Sequence, residues 1–304
     1  MNRPLVIGTR GSALALAQVE LFKKALRLCS PEVRVQVRTV TTTGDRKQEI
    51  SLAIESGAGL KGLFTREIEE LLLRGEVDVA VHSLKDLPGH TPQGLAITAV
   101  LERADTSDVL IAKSARSLTE VPVGGVIATS SVRRSRQLRW MRPDVRIEEI
   151  RGNVPTRVQK LRDSGHWHGI VLARAGLDRL GFDAEGFQVS PLATLPAIGQ
   201  GAIGLETRDD ATEVNALVAG VNHLPTFTCI RAERELLRLL NGDCHLPVGV
   251  ATLLAGDQLS MSAIVFGEEG QPPAEAQAHG SASAPEALAQ HLHTTLGNNA
   301  ADPR

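Results

Sequence analysis

Tyrosine is absent from this 304-residue chain, and aromatic residues together make up 3% of it. Proteins that hold single strands or RNA loops stack bases on aromatic faces, so the sequence argues against a nucleic-acid partner. Cysteine is scarce: Cys29, Cys229 and Cys244 are far apart, odd in number, and form no CxxC or Cys/His ligand spacing. A disulfide framework and a metal site are therefore not expected, and a reducing cytoplasm is the expected compartment. No apolar run reaches membrane-spanning length, and Met1 to Lys24 hold no apolar core ahead of a cleavage site. Neither a membrane partner nor export is expected. An overall excess of either charge is also lacking, with 33 basic against 35 acidic residues.

That balance hides a local asymmetry. Between Arg133 and Arg162 ten basic residues face three acidic ones. A balanced chain with one strongly basic segment points to an anionic ligand met in one place. Hydrophobic content of 42% and charged content of 22% fit a folded protein, and the length predicts two or three domains.

The first two-thirds alternate short apolar runs with amphipathic stretches. Strands are expected at Leu5–Gly8, Val33–Val40 and Asp78–Val81, with a helix from Ser12 to about Leu28 and another over Leu63–Arg74. Thr41–Lys61 is polar and glycine-rich and reads as a long loop. A second series follows, with strands at Val126–Ala128, Val145–Ile150 and Gly169–Leu172 and helices opened by Thr129-Ser130-Ser131 and by Arg151-Gly152-Asn153. A short helix is expected near Leu177–Leu180. Two such series imply two doubly wound α/β lobes. The remainder reads as a helix at Phe227–Leu240, strands near Val248–Leu254 and Leu259–Val265, a mobile loop over Gly267–Ala284, and a helix around Pro285–Leu296. This last part is a small α+β domain. The domain division expected is 1–100 with 200–222, then 101–199, then 223–304.

Four stretches carry chemistry. His82-Ser83-Leu84-Lys85-Asp86-Leu87-Pro88 follows a buried strand, where ligands bind in α/β sheets. Thr129-Ser130-Ser131-Val132-Arg133-Arg134 places two arginines in the first turn of a helix. Arginine there opposes the helix dipole unless an anion is present. Arg151-Gly152-Asn153-Val154-Pro155-Thr156-Arg157 repeats the design, with planar guanidinium forks suited to carboxylates. A solvated basic face is the plainer account of Arg139 and Arg142. Asn241-Gly242-Asp243-Cys244-His245-Leu246-Pro247 sets a cysteine in a Gly/Pro-bounded loop, where a small buried hydrophobe is the plainer account.

Taken with Gly8-Thr9-Arg10-Gly11-Ser12, Lys61-Gly62-Leu63-Phe64 and Leu195-Pro196-Ala197-Ile198-Gly199-Gln200-Gly201-Ala202, these stretches resemble the porphobilinogen deaminase family, in its order and over nearly the whole chain. The resemblance implies stepwise joining of four porphobilinogen molecules into the linear tetrapyrrole hydroxymethylbilane, with release of ammonia. It implies a dipyrromethane cofactor held by a thioether to Cys244, and a monomer of three domains. The first two would resemble type II periplasmic binding proteins, with the active site in the cleft between them. By resemblance, Asp86 is the catalytic carboxylate. Lys85, Ser83, Ser130, Ser131, Arg133 and Arg134 are implied to hold the cofactor, and Arg10, Ser12, Arg151, Arg157, Arg179 and Gln200 the substrate. The chain departs from the family's pattern twice. It has Asp243 where a glycine usually precedes the cysteine, and its Ile54–Leu60 loop is longer and lacks an expected basic residue. The rival reading from another class is a non-catalytic solute-binding protein of the same fold, which needs neither Asp86 nor a cofactor on Cys244.

Overall fold

The computed structural model describes residues 3–42, 65–183, 186–241 and 246–301. Its contacts divide the chain into two compact units, Met1–Ala104 with Gly201–Ile230, and Asp105–Gln200 with Arg231–Arg304.

The first unit is built on β1 (Leu5–Arg10), β2 (Val35–Val40), β3 (Val79–Ser83), β4 (Leu95–Val100) and, from much later in the chain, β10 (Ile203–Arg208). Their order in the sheet is β2-β1-β3-β10-β4. β1 pairs in parallel with β2 and β3, while β10 runs antiparallel between β3 and β4. Helix α1 (Ala13–Cys29) starts at Ser12, whose Oγ accepts the Ala15 N–H at 3.3 Å. Val19, Phe22 and Leu26 recur at helical spacing and bury one face against Leu5, Ile7, Val79 and Val81. The expected helix over Leu63–Arg74 forms as α2 (Arg66–Leu73). Inside the sheet, His82 on β3 and Glu206 on β10 meet at 3.1 Å with both side chains buried.

The second unit holds a sheet of β5 (Asp108–Ala112), β6 (Val126–Ala128), β7 (Arg146–Glu148), β8 (Trp167–Ala173) and β9 (Gln188–Pro191), in the order β7-β6-β8-β5-β9. β6 is parallel to β7 and β8, and β5 is antiparallel to β8 and β9. Residues of β5 alternate between two apolar clusters. Val109 and Ile111 join Ile150, Leu161 and Ile170, whereas Leu110 and Ala112 join Ile127, Leu138 and Val171. A sheet covered on both faces needs such continuous apolar strands. The helices are α3 (Val132–Met141), α4 (Val154–Asp163) and α5 (Arg174–Arg179). Both basic helices start on side-chain caps, from Ser131 to the Arg134 N–H at 3.4 Å and from Asn153 to the Thr156 N–H at 2.9 Å. Arg139 and Arg142, expected together on a solvated face, differ. Arg139 is exposed and pairs with Glu269. Arg142 bonds both Asp144 oxygens and the carbonyls of Leu118 and Val121 at 2.6–2.9 Å, and so ties down the 118–121 turn.

Helix α6 (Thr212–Ala219) belongs to the first unit, and α7 (Leu224–Leu239) leads from it into the second. Beyond α7 lies an antiparallel sheet of β11 (Val248–Ala255), β12 (Gln258–Val265) and β13 (Ala274–Ser281), followed by α8 (Pro285–Ala301). β13 corrects the expectation of a loop over Gly267–Ala284. Its composition is loop-like, but its pattern has period two. Ala274, Ala276, Ala278 and Gly280 alternate with exposed Glu275, Gln277, His279 and Ser281. The small residues suit a strand packed closely under a helix, and Gly280 lies in contact range of Leu288 on α8.

The 3-10 turn Leu84–Asp86 continues β3 and rests on Leu84, which is buried among Leu87, Val100, Ala202 and Ile230. A Cβ added at Gly204 would collide with Leu84 Cδ1. Gly204→Ala is therefore expected to destabilise the protein by about 1–3 kcal/mol through overpacking. Urea unfolding of Gly204→Ala, Leu84→Ala and the double variant checks this. The double variant should be more stable than the sum of the two losses predicts, because one change makes room for the other.

Candidate active site

In the first unit, parallel pairing of β1 with β3 brings Arg10, Ser12, Ser83, Lys85 and Asp86 to the carboxyl ends of adjacent strands. All five are partly exposed. An Arg10 guanidinium nitrogen lies 4.0 Å from Asp86 Oδ2. Ser83 is held by Gln18, whose Nε2 donates to its Oγ at 2.8 Å. Ser12 spends its acceptor on the helix cap and keeps its O–H for donation. This end of the sheet thus offers a carboxylate, an ammonium, a guanidinium and two hydroxyls on short, strand-anchored turns.

In the second unit the arginine pair of α3 does not open first onto solvent. Both guanidiniums converge on Asp108, the first residue of β5, which has no exposed surface. Arg133 reaches its two oxygens at 2.7 and 3.3 Å, and Arg134 approaches Oδ1 through Nε at 3.0 Å and a terminal nitrogen at 2.7 Å. Arg133 also donates to the Leu195 carbonyl at 2.7 Å, and Arg134 to the Val171 carbonyl at 3.0 Å. Thr194 Oγ1 and Gln200 Nε2 complete the ring around Asp108 at 3.1 and 2.9 Å. Burial pushes the Asp108 carboxyl up, but Arg134 and Arg133 outweigh it and hold the group well below the usual carboxylate range. Burial draws Arg133 below its ordinary value; Asp108 opposes this and Arg134 adds to it.

The other expected ligands divide. Ser130 closes on its own fold, its Oγ donating to the Ile150 carbonyl at 2.6 Å and accepting the Ile150 N–H at 3.1 Å. Gln200 has no exposed surface and serves the Asp108 ring. Ser131 is the cap of α3. Arg151, partly exposed, lies 3.3 Å from Glu149, and Arg157 Nε donates to the Gly152 carbonyl at 2.7 Å. Arg179 is partly buried, and burial lowers its pKa. Cys244, with Gly242, Asp243 and His245, and the 54–60 loop lie outside the described residues.

Asp108 is the residue that sequence reasoning missed. Its one signal is an acid set directly before the apolar run Val109-Leu110-Ile111-Ala112. The site still fits an anion from outside. Asp108 brings one negative charge to two guanidiniums, so the buried triad holds one positive charge in excess. Arg133 Nε is buried and has no hydrogen-bond partner among the described residues. A carboxylate at the edge of this cluster supplies the missing charge.

A family model described as porphobilinogen deaminase, dipyromethane cofactor binding domain, matches residues 5–216. The model of the porphobilinogen deaminase C-terminal domain matches residues 227–298. The porphobilinogen deaminase of Desulforudis audaxviator is 44% identical over 297 residues, covering 97% of this chain and 95% of its own. That of Chloroherpeton thalassium is 46% identical over 250 residues, covering 82% and 78%. Among solved structures, the VFT2 domain of Bordetella pertussis BvgS is 12% identical with a TM-score of 0.42, over 72% of this chain and 86% of that one. An ancestral arginine-binding protein bound to arginine is 14% identical with a TM-score of 0.38, over 72% and 90%.

The Asp108 ring has a pH signature. A carboxyl depressed by folding contributes stability that is complete above its unfolded pKa, near 4, and lost as pH falls through the depressed folded value. Asp108→Asn leaves two buried guanidiniums uncompensated and is expected to cost about 3–5 kcal/mol at neutral pH. In denaturant unfolding, the gap between wild type and variant should be flat from about pH 5 to 8 and shrink below about pH 4.

Proposed function

The chain belongs to the porphobilinogen deaminase family, and on that premise we propose that Asp86 is its catalytic carboxylate and that the arginines of its two α/β lobes bind the carboxylates of cofactor and substrate. The activity is that of a transferase of porphyrin biosynthesis: four porphobilinogen molecules are joined head to tail into hydroxymethylbilane, with one ammonia released at each joining. The cofactor is a dipyrromethane attached covalently to Cys244.

The observation that carries the site assignment is the buried positive excess at Asp108, Arg133 and Arg134. Each pyrrole unit carries an acetate and a propionate, so a growing chain adds negative charge at every step. Arg133 and Arg134 fit the carboxylates of the bound dipyrromethane, which supplies the pyrrole carbon onto which the first unit is joined. Arg10, Ser12, Arg151, Arg157 and Arg179 fit the incoming substrate. Lys85, Ser83 and Ser131 fit the cofactor beside the arginine pair. For Ser130 and Gln200, whose side chains bond inward, the reading is one of support for the ligand-bearing backbone.

Asp86 is suited to the chemistry by its place and exposure. Loss of ammonia from porphobilinogen leaves a cationic methylene-pyrrole, in which positive charge reaches the pyrrole N–H. A fixed carboxylate facing that N–H stabilises the cation as it develops. The same oxygens take up the proton released when the new bond re-aromatises. An Arg10 nitrogen lies 4.0 Å from Asp86 Oδ2 and does not close a tight pair over it, so the carboxylate stays open to a pyrrole N–H.

The reading extends to the protein's setting. We place it in the cytoplasm as a monomer with no nucleic-acid partner, and keep the division into three domains, 1–100 with 200–222, 101–199 and 223–304. Free Cys29, on the surface, agrees with a reducing compartment.

Two measurements test the reading. The intact protein should exceed its sequence mass by two linked pyrrole units, and Cys244→Ala should not; a bare mass after expression with porphobilinogen present would sink the site assignment. Asp86→Asn should melt like the wild type yet turn over at least about a hundredfold more slowly. Asp86→Glu, which keeps the charge, should retain measurable turnover. Near-normal turnover of Asp86→Asn would remove this carboxylate from the mechanism.

A further inference from the structure

Cys244 lies in sequence between α7 and β11, so whatever fixes those two elements sets where the anchor segment begins and ends. The Glu233 side chain joins them. Glu233 on α7 has no exposed surface. Its Oε1 accepts the Thr252 hydroxyl of β11 at 2.5 Å, and its Oε2 accepts the Gly199 N–H at 2.8 Å. Gly199 stands at φ +72°, a conformation that glycine adopts without strain.

Gly199 belongs to the Leu195–Gln200 loop, whose two sides face different tasks. On one side, the Leu195 carbonyl accepts from Arg133 and Gln137 at 2.7 and 2.9 Å, and Gln200 donates to Asp108 at 2.9 Å. On the other, the Pro196 carbonyl accepts the Val250 N–H of β11 at 2.8 Å. A Cβ at Gly249 would lie 2.7 Å from the Leu195 carbonyl oxygen, so the two backbones are in direct contact. The loop thus touches both the guanidinium pair and β11, beside Gln137 of α3, which also reaches Gly249, and Glu233 pins it from the side of α7 and β11.

We propose that Glu233 is a positioning residue for cofactor attachment: through the Leu195–Gln200 loop it holds the two ends of the Cys244 segment in register with Arg133 and Arg134. This rests on the functional reading above. A group bonded covalently at one point and by its carboxylates at another is captured efficiently only if the two points keep their spacing to within a fraction of an ångström. Glu233 acts through the loop, by the bonds to Gly199 and Thr252.

The test is the rate at which apoprotein, purified from cells that make no porphobilinogen, gains the cofactor mass when porphobilinogen is supplied, read by intact mass well below the melting temperature. Glu233→Leu removes both acceptors and is expected to load about tenfold more slowly or worse. Glu233→Gln can accept from Gly199 and donate to Thr252, and is expected to load near the wild-type rate. Leu292→Ala in α8 serves as a control destabilised through the core, and should load normally as long as it is folded. If Glu233→Leu does not fold, Thr252→Val decides, with several-fold slower loading expected. Loading of Glu233→Leu, or of Thr252→Val in its place, at the rate of the Leu292→Ala control would overturn the proposal. A wild-type apoprotein that gains no mass at all would instead overturn the functional reading on which it rests.

Discussion

Two arginines at the first turn of a helix would ordinarily repel each other and the positive end of the helix dipole. In this protein the Asp108 carboxylate makes the arrangement possible. It lies at the start of β5, takes both guanidiniums of α3, and is joined by Thr194 and Gln200 from the chain beyond β9. One buried group therefore fixes a strand start, a helix start and a loop together. Breaking such a pair leaves an uncompensated charge in a low-dielectric interior, which is why the arrangement holds as a unit. It remains one negative charge short of neutrality.

Much of the fold was legible because it rests on local rules. The caps at Ser12, Ser131 and Asn153, the apolar spacing of Val19, Phe22 and Leu26, and the buried runs of β3 and β8 each announce an element from a few neighbouring residues. β13 failed for the opposite reason. Alanine and glycine carry a weak apolar signal, so a period of two was hidden by a composition typical of loops. The antiparallel returns of β10 and β5 into otherwise parallel sheets have no local signature at all.

The candidate site was legible as a set of residue types and less so as a set of partners. Arginines at a helix start do meet an anion here, but that anion is Asp108, 25 residues earlier in the chain than Arg133. Arg142 looked like its solvated neighbours and is instead bonded to two backbone carbonyls of a distant turn. In both cases the deciding partner is separated by many residues and carries no motif. Asp86 and Lys85 were placed correctly at a strand end because β3 itself was evident.

The position of β10 has a consequence in time. It sits between β3 and β4, yet it is made after residues 105–200, whose own five-stranded sheet is complete once β9 has appeared at Pro191. During synthesis from the N-terminus, β3 and β4 must wait with unpaired edges while that later sheet is free to form. His82 waits as well, since Glu206 arrives on the same late strand. The turn bearing Asp86 leans on β10 through Leu84, so this end of the first sheet is among the last parts of it to become rigid on the ribosome.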